Sequence, residues 1–184
     1  PTRPSSDLSG PIEFNVRGST SAEFPKKSYS IELQTETGGN RPLPLLGLAD
    51  TEDWALVSPW SFDPSYLRNA YVYALSNRLG RWAPRTRFVE VFMKDDGAAL
   101  DRNHYAGLSV LTERIKIDPE LVPLTELKAS DTTAPAVTGG YLLKFDPRDD
   151  DEYGWVTNRG FPQDEGIGAG TMLGCQQVGV VQRH

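Results

Sequence analysis

The sequence predicts an α+β fold in which a mainly antiparallel sheet is combined with one principal helix. Residues 11–17 and 27–33 have the composition and the alternation of polar and apolar side chains that are typical of strands. Residues 87–93 and 107–117 are two further strand segments, joined by a polar loop as in a hairpin. Residues 64–79 have both the apolar spacing and the start and stop signals of a helix.

The first two strands are separated by a turn of small polar residues that is followed at once by a lysine pair. Exposed backbone N–H groups, hydroxyls and a neighbouring cation are the chemistry of an anion or phosphate site. Alternation places Lys26 on the solvent side and Lys27 on the apolar face with Tyr29, Ile31 and Leu33. A buried Lys27 needs an anionic partner. The alternatives are that its ammonium reaches solvent or pairs with a structural carboxylate.

A short buried strand, residues 54–57, precedes the predicted helix. Asp63 is placed to cap the helix, Pro64 stands at its first position, and Gly80 follows its last turn. We expect its apolar stripe to pack on the sheet; the stripe consists of Leu67, Ala70, Tyr71, Ala74, Leu75 and Leu79.

Arg68 and Asn69 lie at the N-terminal turn of this helix, beside the stripe. Free N–H groups and a guanidinium at a helix N-terminus suit a phosphate or a carboxylate. The alternative is that Arg68 pairs with an acidic neighbour and Asn69 makes local backbone hydrogen bonds.

The strand at residues 107–117 places Glu113 on the same face as Leu111 and Ile115, so its carboxylate needs a cationic partner. Lys27 is the first candidate, and Glu90 on the preceding strand competes with Glu113 for that lysine. The loop before the strand is acidic and contains His104. It lacks the alternation of a calcium loop, and we expect a solvated tip rather than a metal site.

Composition and charge exclude several classes of function. The formal net charge of -6 over 184 residues argues against nonspecific nucleic-acid binding, which needs clustered cations. No run of apolar residues is long enough to span a membrane. The single cysteine, Cys175, excludes an intrachain disulfide bond.

Several motifs in consecutive order resemble the CotH kinase family, the atypical protein kinases similar to spore coat protein H. The first is Arg-Gly-Ser-Thr-Ser at residues 17–21 followed by Phe-Pro-Lys-Lys-Ser-Tyr at residues 24–29. The others are Leu-Leu-Gly-Leu (45–48) with Asp-Trp-Ala-Leu (53–56), Pro-Ser-Tyr-Leu-Arg-Asn (64–69), and the segments 83–92, 105–115 and 139–143. The resemblance covers residues 12–146.

This resemblance implies the N-terminal, nucleotide-binding lobe of a kinase that transfers the γ-phosphoryl group of ATP to serine or threonine of a partner protein. The partner would be a spore coat or surface protein, and the location the spore coat or another extracytoplasmic site. The implied nucleotide-site residues are Arg17, Gly18, Ser19, Ser21, Lys27, Arg68, Asn69 and Glu113. Mg²⁺ would be held mainly by acidic residues of a second lobe, so we assign no catalytic residue and expect this chain alone to be inactive.

The predicted organisation has three parts. Residues 1–10 form a Pro/Ser-rich linker, and residues 11–148 form the kinase-like lobe. Residues 149–184 begin as an acidic loop and continue as a glycine-rich stretch without a legible period, which we interpret as a non-native or truncated tail. A non-catalytic binding or surface-structural module remains the alternative function. A carbohydrate-binding sandwich is disfavoured by the strong central helix.

Overall fold

The computed structural model describes residues 8–18, 20–59, 62–95, 97, 99–126, 130–138, 144–145, 154–156, 176–178 and 182–183. The chain divides into two compact units, Pro1–Lys116 and Ile117–His184. Among these residues, no helix has the length and apolar character needed to cross a membrane.

The first unit is built on a five-stranded sheet in which every neighbouring pair is antiparallel. The strands of the unit are β1 (Ile12–Arg17), β2 (Ser28–Leu33), β3 (Leu43–Pro44), β4 (Asp50–Thr51), β5 (Asp53–Val57), β6 (Thr86–Phe92) and β7 (Tyr105–Glu113). The sheet has the order β1-β2-β5-β7-β6, while β3 and β4 pair with each other. With the one α-helix that the described residues of the unit form, this confirms the predicted α+β class.

One face of the sheet carries the apolar core. Leu33, Trp54 and Leu111 are buried side by side on β2, β5 and β7, and Leu48 covers them from the segment that follows β3. Trp54 is fully buried, and its indole Nε1 donates a hydrogen bond to the Thr51 carbonyl at 3.1 Å. The prediction of a short buried strand around Trp54 is therefore confirmed.

The helix α1 (Arg68–Arg78) begins four residues later than predicted. Residues 64–66 form a turn, and Tyr66 has φ 60°, which no right-handed helix accommodates. The Asp63 carboxylate nevertheless accepts a hydrogen bond from the Arg68 backbone N–H at 2.8 Å. Asp63 thus caps the helix across this turn, although Leu67 occupies the N-cap position.

The prediction that the apolar stripe of α1 packs on the sheet is wrong. None of the residues of α1, all of which the structure describes, is buried. The Asn77 side chain binds the backbone N–H and carbonyl of Ala83 at 3.1 and 2.9 Å. These bonds hold the Asn77 side of the helix toward the protein, and Leu75 and Leu79 on the other side remain exposed.

The loop between β6 and β7 ends in a 3-10 turn, Arg102–His104. The Asp101 carboxylate accepts from the Asn103 N–H at 2.8 Å, and His104 Nδ1 accepts from the Asp101 N–H at 3.1 Å. These groups thus form a capping box. Asp96 of the same loop lies outside the described residues.

The second unit contains short strands. The strands β8 (Thr125–Glu126) and β12 (Gln182–Arg183) pair antiparallel. The strands β9 (Lys144–Phe145), β10 (Gly154–Val156) and β11 (Gln176–Val178) form an antiparallel sheet in the order β10-β11-β9. A strand therefore occurs at Gln176–Val178, where the sequence shows no legible period. The motif at residues 139–143 lies outside the described residues.

Candidate functional site

A cleft of about 430 Å³ lies on the sheet face opposite the Trp54 core, at the N-terminus of α1. Its floor is formed by Val57, Val110, Thr112 and Thr86, which are register partners on β5, β7 and β6. Its volume is within the range of ligand pockets. The remaining lining residues come from β2, the turn after β1, the segment between β5 and α1, and α1 itself: Ser21, Phe24, Ser28, Ser58, Pro59, Phe62, Asp63, Tyr66, Arg68, Asn69, Ala70 and Tyr73.

Three of the predicted site residues line this cleft together: Ser21, Arg68 and Asn69. Ser21 belongs to a 3-10 turn, Thr20–Glu23, that follows β1, whereas the other two begin α1. The strand pairing of β1 and β2 brings the turn to the helix N-terminus. The sequence could not show this proximity, since almost fifty residues separate Ser21 from Arg68.

Arg68 makes the acidic contact that the sequence left as the alternative. Its Nε lies 3.9 Å from Asp63 Oδ1, and its Nη1 donates to the Phe62 carbonyl at 2.8 Å. The Arg68 side chain is nevertheless 74% exposed. Its guanidinium is therefore oriented at the cleft mouth and accessible to a ligand.

The Asp63 carboxylate also accepts from the Ser65 hydroxyl at 2.5 Å. This hydrogen bond, followed by the Arg68 N–H and the Arg68 charge, lowers the pKa of Asp63 against the opposing effect of desolvation. A lowered folded-state pKa stabilises the fold above the ordinary aspartate pKa of about 3.9, and the stabilisation is lost as the pH falls through the lowered value.

We therefore expect Asp63→Asn to weaken the acid dependence of stability. In urea titrations at pH values from about 7 down to about 3, the parent should lose more stability than the variant in the acid part of the range. Asp95→Asn, in the exposed loop after β6, is the matched control. Equal pH dependence of parent and Asp63→Asn would contradict the assignment of Asp63 as an ionised cap.

The two lysines of the turn differ from their predicted environments. Lys27 Nζ donates to the Ala22 carbonyl at 2.5 Å, within its own turn. Lys26, expected in solvent, is half-buried: its Nζ donates to the Leu108 carbonyl and lies 5.2 Å from the ring centroid of Tyr66, a cleft residue. Gly107, at φ 95°, permits this approach, because a Cβ there would lie 2.9 Å from Lys26 Nζ. Lys26 is thus the lysine that contacts the cleft wall.

Arg17 and Gly18 lie at the end of β1, next to the turn. Arg17 pairs in register with Ser28, which lines the cleft. Desolvation and the charge of Arg114 lower the pKa of the Arg17 guanidinium, and the nearby Tyr73 raises it. Gly18 has φ 105°, and a Cβ at this position would overlap the Ser21 hydroxyl. Ser19 lies outside the described residues.

Glu113 does not face the cleft, because its register partner Trp54 belongs to the core face. Its carboxylate is 2% exposed and is bound by the Arg85 side chain at 2.6 and 2.9 Å. The backbone N–H groups of Ala49 and Arg85 each donate to it at 2.8 Å. The expected Lys27–Glu113 pair is therefore wrong, since Arg85 supplies the cation. Glu90 accepts from the Tyr105 hydroxyl instead.

Sequence reasoning missed the aromatic wall of the cleft. Phe24 and Phe62 meet edge to face with ring centroids 5.2 Å apart, and both line the cleft with Tyr66 and Tyr73. No local signal in the sequence identified it, because Phe24 and Phe62 belong to separate segments that only the fold brings together. Together the wall, the hydroxyls and the Arg68 rim suit a ligand with an aromatic part and an anionic part.

Comparison with known proteins gives one family. No curated protein matches the chain. The family model described as CotH kinase protein matches residues 14–165, which is well over half of the sequence and includes every strand and the helix of the first unit from Phe14 onward. The chain therefore belongs to the CotH kinase protein family.

Proposed function

We propose that the cleft binds ATP and that the chain supplies the nucleotide-binding part of a protein kinase. The reaction would transfer the γ-phosphoryl group to serine or threonine of a partner protein, for which a spore coat or surface protein is the expected class. One observation carries the proposal beyond family membership: the fold gathers Ser21, Arg68 and Asn69 in the lining of one ligand-sized cleft.

The lining of the cleft combines the two kinds of chemistry that a nucleotide requires. The aromatic wall around Phe24 and Phe62 offers ring edges and faces to a base. The N-terminus of α1, with its partial positive charge and Arg68, favours phosphate oxygens. Lys26, beside Tyr66, adds a second cation near this end. We propose that Arg17 and Lys27, on either side of the turn after β1, also attract the phosphate groups.

The described residues do not provide a magnesium site. None of their acidic, histidine or cysteine side chains form a group of three that could hold a metal. The one carboxylate of the cleft, Asp63, is already bound by Ser65 and the Arg68 N–H. Mg²⁺ prefers carboxylates together with substrate phosphates. We therefore propose that Mg²⁺ would arrive with ATP, held by its phosphates.

A second candidate function, a non-catalytic binding module, is favoured by the Glu113 contacts. Protein kinases hold their phosphate-binding lysine with a glutamate. Here Glu113 is bound by Arg85 on the core face, and Lys27 donates to a backbone carbonyl. A fold that retains the cleft without that pair is compatible with binding a partner rather than with phosphoryl transfer.

Binding of Mg²⁺-ATP separates the two functions. We expect ATP at about a hundred times its dissociation constant to raise the free energy of unfolding by about 2.7 kcal/mol, because it binds only the folded chain. Arg68→Ala should reduce the affinity about tenfold or more, since a charged contact to phosphate contributes about 1.5–3 kcal/mol. Differential scanning fluorimetry over an ATP titration measures both.

Arg78→Ala is the matched control, because Arg78 is an exposed arginine at the other end of the same helix. It should leave the ATP response unchanged. The melting temperature of each variant without ligand reports any loss of capping at Asp63. No ATP-dependent stabilisation of a cooperatively melting parent would overturn the nucleotide proposal and favour the binding module.

A further inference from the structure

The side of α1 that points away from the cleft is apolar and exposed. We call it the outer face of α1. At about 100° per residue, its members fall within one sector of the helix, and the cleft residues Ala70 and Tyr73 lie in the opposite one. Arg68, which also lines the cleft, lies at the N-terminal end of the outer sector. The side chains of this face are between 42% and 70% exposed: Leu67, Tyr71, Val72, Leu75 and Leu79. Several large apolar side chains exposed on one sector of a helix indicate a candidate interaction site.

The outer face lies in the most basic part of an acidic chain. The formal net charge of the chain is -6, yet no aspartate or glutamate occurs from Pro64 to Val89. The same stretch contains Arg68, Arg78, Arg81, Arg85 and Arg87. The helix and the segment after it therefore carry a net positive charge, opposite in sign to that of the whole chain.

Two of these arginines are available beside the outer face. Arg78 projects within the same sector as Tyr71 and Leu75, since it lies seven and three residues after them. Arg81 follows the helix, next to the exposed Trp82. Both arginines are exposed, and neither has an acidic partner among the residues that the structure describes. Their guanidinium groups can therefore bind carboxylates of another molecule in the bidentate manner.

We propose that the outer face of α1 binds an acidic amphipathic segment of a partner protein. Apolar side chains of the partner would cover Tyr71, Leu75 and Leu79, and its carboxylates would pair with Arg78 and Arg81. A second copy of this chain is a poorer occupant, because two such faces would bring arginines against arginines. The proposed contacts at Tyr71, Leu75, Leu79, Arg78 and Arg81 do not include cleft residues, and the two sites adjoin only at Arg68.

Fluorescence anisotropy with a labelled synthetic peptide tests the proposal. The peptide is an amphipathic helix with leucines at spacings of three and four and glutamates at the other positions. We expect the full chain to bind it and to bind a peptide with lysine at every glutamate position at least about tenfold more weakly. Arg78→Glu combined with Arg81→Glu should weaken binding about tenfold or more, as should Tyr71→Ser combined with Leu75→Ser.

Two exposed residues elsewhere in the first unit serve as matched controls: Arg102→Glu for charge and Ile115→Ser for apolar area. Neither should change the affinity by more than about twofold. Since the variants change exposed side chains, each should melt cooperatively, which fluorimetry verifies. Equal binding of acidic and basic peptides, or no binding of either, would overturn the proposal. Dimerisation through this face in light scattering, or binding to phosphatidylserine vesicles in preference to the acidic peptide, would also overturn it.

Discussion

Replacing Glu113 by alanine is expected to lower the free energy of unfolding by about 2–6 kcal/mol, because two backbone N–H groups lose their acceptor at about 1–3 kcal/mol each. The carboxylate is 2% exposed and accepts four hydrogen bonds or ion-pair contacts, two from the Arg85 side chain and two from the backbone N–H groups of Ala49 and Arg85. Its removal leaves buried N–H donors without acceptors. Urea unfolding at neutral pH measures the loss.

Glu90→Ala is the matched control, because Glu90 is an exposed glutamate on the neighbouring strand β6. Its removal should change stability by no more than about 0.5 kcal/mol. Arg85→Ala should cost a similar amount, because it leaves the buried Glu113 carboxylate with its two backbone donors but without its cation. A loss below about 1 kcal/mol for Glu113→Ala would show that the carboxylate does not tie the segments together as the contacts indicate.

The same contacts change the interpretation of Glu113. Its alternation with Leu111 correctly predicted a buried carboxylate that needs a cation, and that part is confirmed. The identity of the cation was wrong, because sequence patterns give the face of a residue but not which distant side chain reaches it. Arg85 reaches it through the β6–β7 pairing, in which Thr86 lies opposite Thr112.

The sheet could be predicted from the sequence because strand alternation and turn residues are local signals. The segments around Ile31 and Leu111 showed apolar alternation, and residues 54–57 were a short apolar run. Leu33, Trp54 and Leu111 are indeed buried in the core. Strand order could not be predicted, since pairing of β5 with β7 depends on contacts between segments far apart in the chain. The side chains that face the core could therefore be predicted from the sequence, whereas the neighbours of each strand in the sheet could not.

The direction of α1 shows the limit of periodicity. An apolar stripe predicts that a helix is amphipathic, but it identifies the buried side only if no other contact decides the orientation. Here the Asn77 side chain binds Ala83 on the opposite side, and a ligand-sized cleft occupies the space beneath the helix. The stripe of Tyr71 and Leu75 is left exposed. This exposed stripe belongs to the outer face of α1, to which we propose that an acidic segment of a partner protein binds.

The cleft was predictable only in its polar residues. Ser21 in a small-residue turn, and Arg68 and Asn69 at a helix N-terminus, have local signatures of anion binding. Phe24 and Phe62 have none, because their edge-to-face contact joins segments that the fold alone brings together. The resemblance to the family supplied the connection between the turn and the helix that spacing could not.

Trp54→Ala is the second substitution with a large expected effect, a loss of about 3–5 kcal/mol in the free energy of unfolding. Trp54 is fully buried among Leu33, Leu48 and Leu111, so its removal leaves a cavity under the segment that covers the sheet. Trp82→Ala, at a position 42% exposed, should cost far less and is the matched control. Trp54→Phe keeps most of the packing and loses the Nε1 hydrogen bond to Thr51.

Combining Trp54→Ala with Glu113→Ala tests whether the two effects are independent. The two residues are direct register partners on β5 and β7, and Leu48 and Ala49, which cover them, are adjacent in the chain. Mutations in contact deviate from additivity by about 0.5–3 kcal/mol. We expect the double variant, if it still unfolds cooperatively, to lose less than the sum of the single losses, because either change alone releases residues 48–49. Strict additivity in urea unfolding would show instead that Trp54 and Glu113 hold that segment separately.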